Sequence, residues 1–162
     1  MSRLILLFLF ISTSVFAQPS EIACLTTNIY YEGRGETLEG MRAIGSVVIN
    51  RSKHSSFKGQ DSFCKVTFAK GQFSWYKPRD KAIQRLLKGD TSGLKDKDKE
   101  AYQKAEGVAV SFLLSAYRPS IPSWVVSFHN SSVSPPWSGT MRKYKKIGGH
   151  YFYGFKNKGE LK

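Results

Sequence analysis

The sequence predicts an α+β domain, with a mainly helical lobe followed by a small antiparallel sheet near the C-terminus. Three observations carry this prediction. Apolar residues recur at helical spacing in several segments between Ile22 and Ala116. Trp124, Val126 and Phe128 alternate with Val125, Ser127 and His129 as in a half-buried strand. An aromatic run, Tyr151 to Phe155, follows the flexible pair Gly148-Gly149. At 162 residues the chain has room for one compact domain. Its 41% hydrophobic content is enough to build an interior despite the high net charge, which excludes a disordered chain.

Residues 1–17 read as an export signal. Met-Ser-Arg precedes the apolar run Leu4 to Ile11, and Val15 and Ala17 stand where a signal peptidase requires small residues, with cleavage expected after Ala17. The apolar run is far shorter than the roughly 20 residues that span a bilayer. An uncleaved anchor is the alternative. Residues 18–162 are then expected to form a single domain.

Within it, Ser20 caps a helix carrying Glu21 in its first turn and Ile22, Leu25 and Ile29 on one stripe. That helix is expected to end near Tyr31 or Glu32, because Gly33-Arg34-Gly35 disfavours continuation. A second helix is expected over Leu38–Ser52, burying Met41, Ile44, Val47 and Val48. The stretch His54–Pro78 reads mostly as loop, and Asp80–Lys88 as a short helix. Lys95 to Lys99 is a charge run expected to be a solvated connection, with Asp98 capping a long helix that reaches Ala116 before Pro119. Trp124–His129 then forms a strand, Pro135–Gly139 a loop and Tyr151–Phe155 a second β-like run. On that run His150 and Phe152 share one face while Tyr151, Tyr153 and Phe155 share the other.

With 25 Lys and Arg against 12 Asp and Glu the net charge is +13, which points to a polyanionic partner. Export removes nucleic acid from consideration and leaves anionic envelope polymers. It also makes Cys24 and Cys64 candidates for a disulfide, the alternative being two separate buried thiols. In the chain-entropy model such a bridge contributes about 4 kcal/mol.

Several chemistries are excluded by pattern. His54, His129 and His150 form no compact ligand motif, so neither a metal nor another cofactor is expected. No GxxxxGK cradle and no GxSxG elbow occurs. A Cys/His nucleophile pair would leave an unpaired cysteine in an exported protein. The densest polar cluster is Tyr30-Tyr31-Glu32-Gly33-Arg34-Gly35-Glu36. At a helix C-terminus, shielded by tyrosines, Glu32 would have a raised pKa and suit the role of general acid. The alternative is a structural ion pair of Glu32 or Glu36 with Arg34.

The blocks Asn28-Ile29-Tyr30-Tyr31-Glu32-Gly33-Arg34-Gly35-Glu36, Val47-Val48-Ile49-Asn50-Arg51, Gln72-Phe73-Ser74-Trp75, His129-Asn130, Pro136-Trp137, Ile147-Gly148 and His150-Tyr151-Phe152-Tyr153 occur in order. Together they resemble the SleB/CwlJ-type cell-wall hydrolases over roughly Ile22 to Tyr153. Gly33 stands where that family has alanine, and no separate wall-binding module is expected ahead of the domain.

The resemblance implies a lysozyme-like fold and a lytic transglycosylase that cleaves peptidoglycan glycan strands, with Glu32 as catalytic acid. Phe73, Trp75 and Trp137 are candidate sugar-contacting aromatics, and Gln72, Ser74, His129, Asn130 and Tyr153 candidate hydrogen-bonding groups. A hydrolytic, muramidase-type outcome would need a second carboxylate about 5–9.5 Å away, for which Glu36 and Glu39 are nearest in sequence. Attack by the sugar's own C6 hydroxyl needs only one carboxylate. The expected partners are peptidoglycan and anionic envelope polymers, with no nucleic acid, no membrane contact beyond the export signal, and a monomeric chain. A non-catalytic exported wall-binding protein is the rival class. A membrane-active cationic protein fits poorly, because the Asp98–Ala116 segment is rich in core residues and sparse in basic ones.

Overall fold

The computed structural model describes residues 18–114 and 118–156, so the proposed export signal and the expected helical position Ala116 lie outside the described residues. Five α-helices come first: α1 (Glu21–Gly33), α2 (Leu38–Lys53), α3 (Phe63–Phe68), α4 (Lys81–Leu86) and α5 (Asp96–Leu113). Strand β1 (Val125–Asn130), a 3-10 turn (Pro136–Gly139), β2 (Arg142–Ile147) and β3 (His150–Gly154) follow. The three strands form an antiparallel sheet in the order β1-β3-β2, in agreement with the α+β class read from the sequence. Among the described residues no helix is long and apolar enough to cross a membrane.

Helix α2 organises the interior because it is buried on two sides. Toward the helical lobe, Met41 and Val48 join Leu25, Ile29 and Tyr30 of α1 and Tyr102, Ala105, Val108 and Ala109 of α5. Ala43, Ile44 and Val47 meet Ile121, Val125, Ile147 and Phe152, so the other side of α2 carries the sheet. At its C-terminal end, Asn50 Nδ2 donates to the carbonyls of Pro122 and Val125, both at 2.9 Å. Arg51 Nε donates to the Val126 carbonyl and a terminal nitrogen to Ser127 Oγ. These bonds satisfy buried backbone carbonyls while setting the angle between α2 and β1.

Local signals account for most boundaries. Ser20 Oγ accepts from Ala23 N, Thr37 Oγ1 from Gly40 N, and Asp80 Oδ1 from Ala82 N and Ile83 N, each capping the helix that follows. Helix α1 includes Gly33 in its last turn. A Cβ there would sit 3.2 Å from Ile44 Cδ1 and 3.3 Å from Met41 Cγ, so glycine permits α1 and α2 their close approach.

The structure departs from the sequence reading at four places. The supposed loop after His54 contains α3, whose cap Ser62 accepts from Lys65 N; six residues are too few for a helical period to show. The Lys95–Lys99 run is the first turn of α5 and not a connection. Lys95 occupies the cap position without a side-chain bond, and Asp98 forms an ion pair with Arg34 in place of capping. Strand β2, Arg-Lys-Tyr-Lys-Lys-Ile, has no alternating pattern because it is an edge strand with a bulge, held by its pairing with β3. The last strand spans His150–Gly154, one residue earlier than the run Tyr151–Phe155.

Two constraints close the structure. Cys24 of α1 and Cys64 of α3 form a disulfide. The Glu36 carboxylate, in the α1–α2 turn, accepts from Gly149 N at 3.0 and 3.1 Å, and its Oε1 lies 3.1 Å from His150 Nδ1. Gly148 has φ +55°, and a Cβ on it or on Gly149 would run into the Glu36 carboxylate. The glycine pair thus serves both the hairpin turn and this clasp.

Replacing Glu36 with alanine should lower stability by about 1–3 kcal/mol, since the Gly149 amide loses its partner, and thermal melting at pH 7 checks this. Reducing Cys24–Cys64 should lower it by about 3–4 kcal/mol, read as the difference between denaturant midpoints with and without reductant.

Candidate active site

A cleft of about 380 Å³ runs between the helical lobe and the sheet. Glu32 enters it from the last turn of α1 and Arg51 from the end of α2. Gly71, Gln72, Phe73 and Ser74 line it from the segment after α3. Phe128 and His129 of β1, with Val133, Pro135 and Trp137 of the following loop, form the rest of the wall.

Burial pushes the Glu32 carboxyl up from its ordinary 4.5 to about 7. Loss of solvation is the dominant cause, because a charged carboxylate in this half-dry cleft gives up water without gaining a cation. The Trp75 indole N–H faces the carboxyl and pulls its pKa the other way, although it is not aligned for a full hydrogen bond. Trp75 itself is stacked on Tyr31, with ring centroids 4.6 Å apart and planes 11° from parallel. Arg34 turns away from Glu32, toward Asp98 and the Tyr30 hydroxyl.

Arg51 is a buried cation. Burial lowers its pKa from 12.5 only to about 10, so it stays charged at neutral pH. Two of its nitrogens bind β1, its guanidinium lies 4.9 Å from the Phe57 ring centroid, and the remaining terminal nitrogen has no hydrogen-bond partner. It lines the cleft as a fixed positive group.

On the opposite wall His129 is locked. Its Nδ1 lies 2.9 Å from the Asn130 carbonyl, which can only accept, so Nδ1 carries the proton. Nε2, 3.0 Å from the Tyr153 hydroxyl, is then the acceptor in the neutral ring. With both nitrogens engaged, His129 offers the cleft an aromatic surface. Trp137 packs edge-on against His129 and Tyr153, at 5.6 Å from each, and is partly exposed.

Of the residues singled out by sequence, Glu32, Gln72, Phe73, Ser74, His129 and Trp137 meet at this cleft. Phe73 is only 7% exposed and contributes mainly to the core beneath it. Trp75 and Tyr153 stand behind the wall, orienting Glu32's surroundings and His129 respectively. Asn130 is exposed, and its Oδ1 accepts from Ser132 N to shape the turn after β1. Glu36 is clasped by the β2–β3 turn and Glu39 lies 4.0 Å from Lys145; neither lines the cleft. Sequence reading did not single out Arg51, Gly71, Phe128, Val133 and Pro135 as cleft residues. An arginine in a last helical turn ordinarily complements the helix dipole, so its spacing carried no sign of a cleft role.

In chemical terms the cleft holds one carboxyl that remains protonated near neutrality, a fixed guanidinium and aromatic surfaces on the facing wall. Such a set can protonate a bridging oxygen and seat sugar rings.

The comparisons bear on this geometry. No curated protein sequence matches the chain. The catalytic domain of the germination-specific lytic transglycosylase SleB from Bacillus anthracis shares the fold, with a TM-score of 0.51 and 23% identity over 87% of this chain and 98% of that one. The catalytic domain of the Bacillus cereus SleB protein superposes with a TM-score of 0.49 and 22% identity, over 85% and 93% of the two chains. A family model described as cell wall hydrolase matches residues 35–153, beginning just after Glu32 and taking in the rest of the cleft. The chain therefore belongs to the cell wall hydrolase family, whose enzymes act on peptidoglycan.

Proposed function

We propose that this protein is an exported lytic transglycosylase that cleaves the bond between N-acetylmuramic acid and N-acetylglucosamine, with Glu32 acting as acid and then as base. The observation that carries the reading is a single carboxyl among the described residues lining the cleft, held protonated up to about pH 7 by loss of solvation. In the first step Glu32 gives its proton to the glycosidic oxygen as the C1–O bond breaks. Charge builds on the ring oxygen and C1. The muramic C6 hydroxyl then attacks C1 and passes its proton to the Glu32 carboxylate, which leaves a 1,6-anhydro end and restores the acid.

This route is favoured over hydrolysis because Glu32 is the only carboxylate among the described residues that line the cleft. A muramidase-type hydrolase would need a second one to activate water or to attack C1. Glu36, the nearest candidate by sequence, is committed to Gly149. That Trp137, Gln72 and Ser74 line the same cleft as Glu32 supports their reading as sugar contacts. The reading as an exported protein rests on the pattern of residues 1–17 and on the location of peptidoglycan outside the cytoplasm.

Glu32→Gln should lower turnover by about 10²- to 10⁴-fold while leaving the circular-dichroism spectrum unchanged. Mass spectrometry of muropeptides should find anhydro ends with the wild type and almost none with the variant. Near-wild-type turnover in the variant would refute the assignment. The active form is the protonated one, so the rate should fall as pH rises through about 7. Trp75→Phe removes the influence that lowers the Glu32 pKa and should move that limb to higher pH.

Stability supplies an independent check. Between pH 4.5 and 7 the unfolded Glu32 has lost its proton while the folded one keeps it, so stability falls as pH rises across this window. Glu32→Gln should therefore be more stable than the wild type at pH 8, by about 2–3 kcal/mol, and the gain should vanish below pH 4.5.

A further inference from the structure

The outer face of the sheet carries a cationic pair that the glycan cleft does not use. Lys143 and Lys146 are three residues apart, which in a regular strand would put them on opposite faces. The bulge between them prevents this: Lys143 pairs with Tyr153 and Lys146 with Tyr151, so both project on the same side as those tyrosines. Their ammonium groups lie 3.8 and 5.6 Å from the Tyr151 ring centroid. Both lysines are exposed, and neither has a carboxylate partner among the described residues.

The remaining cations of β2 are differently placed. Arg142 lies 4.3 Å from the Trp124 ring centroid, and Lys145 lies 4.0 Å from Glu39. Lys143 and Lys146 instead adjoin the catalytic cleft through a run of rings. His129, a cleft residue, is 5.7 Å from Tyr151 and 5.6 Å from Trp137. A ligand seated against Trp137 and His129 therefore reaches the lysines across one tyrosine.

We infer that Lys143, Lys146 and Tyr151 form a subsite for the carboxylates of the stem peptide carried on the muramic lactyl group, a reading that rests on the proposed glycan cleavage. The cleft holds the sugar backbone, and the peptide leaves it over the sheet. An extended peptide of about three residues, at roughly 3.3–3.6 Å per residue, covers the distance from the His129 ring to the two ammonium groups. The ammonium groups match carboxylate charge, and the Tyr151 ring lies beside both of them and draws them together by cation–π attraction. The subsite discriminates peptide-bearing strands from bare ones at a place remote from the acid.

The test compares wild type with Lys143→Gln/Lys146→Gln on peptide-bearing glycan strands and on the same strands stripped of peptide by an amidase. The expected result is a fall in kcat/KM of about three- to tenfold on peptide-bearing strands, diminishing as salt is raised, with no change on stripped strands. Equal loss on both substrates, or loss on neither, overturns the inference. A second measurement does not depend on turnover: a soluble stem tripeptide titrated into the full chain should shift the resonances of Lys143, Lys146 and Tyr151, and the double variant should abolish those shifts. Shifts with poly(glycerol phosphate) but none with the tripeptide would overturn the peptide assignment in favour of a phosphate polymer. If Glu32→Gln keeps its activity, the cleavage mechanism fails, while the tripeptide titration still decides the subsite.

Discussion

Helix α2 is covered by α1 and α5 on one side and by the sheet on the other, and the cleft exists because of that double burial. A helix with one apolar stripe could hold only one layer. Here Met41 and Val48 serve the helical lobe while Ala43, Ile44 and Val47 serve the sheet, so the two halves are fixed through a shared rod. Asn50 and Arg51 extend the same device with hydrogen bonds to β1. The carboxyl at the end of α1 and the aromatic residues on and after β1 thus line one cleft of about 380 Å³.

The acid is a product of position more than of specific partners. Among the described residues no cation pairs with Glu32, and the Trp75 N–H, which faces it, works against its protonation. Removal of water is what keeps the proton on. Trp75, beside the carboxyl, and Tyr31, stacked on Trp75, both pack against the helical core, so the surroundings of Glu32 are held by the interior of the lobe. The charges that neighbour Glu32 in sequence are held elsewhere: Arg34 by Asp98, Glu36 by the Gly149 amide. An ion pair at Glu32 would favour its ionised form and lower its pKa.

The net charge of +13 has structure within it. On β2 the bulge sorts four cations, sending Lys143 and Lys146 to the face that continues from the cleft. A basic composition attracts any polyanion, whereas a bulge that selects two lysines beside a ring defines a direction along the surface.

The sequence by itself determined the α+β class, the cap at Ser20, the long helix preceding the sheet and the placing of Glu32 at a helix end, because periodicity and capping act over a few residues. It also identified most of the cleft wall through ordered blocks, including Gln72-Phe73-Ser74 and His129. It was silent on α3, too short to show a period, and on β2, whose charged residues become a strand only beside β3. Only the tertiary structure decided that Asp98 holds Arg34, that Glu36 closes the β2–β3 turn, that Trp75 and Tyr153 support the wall from behind, and that Arg51 enters the cleft. Each of these depends on which distant group a side chain meets, and the loss of solvent around Glu32, which sets its chemistry, is likewise a property of the packed whole.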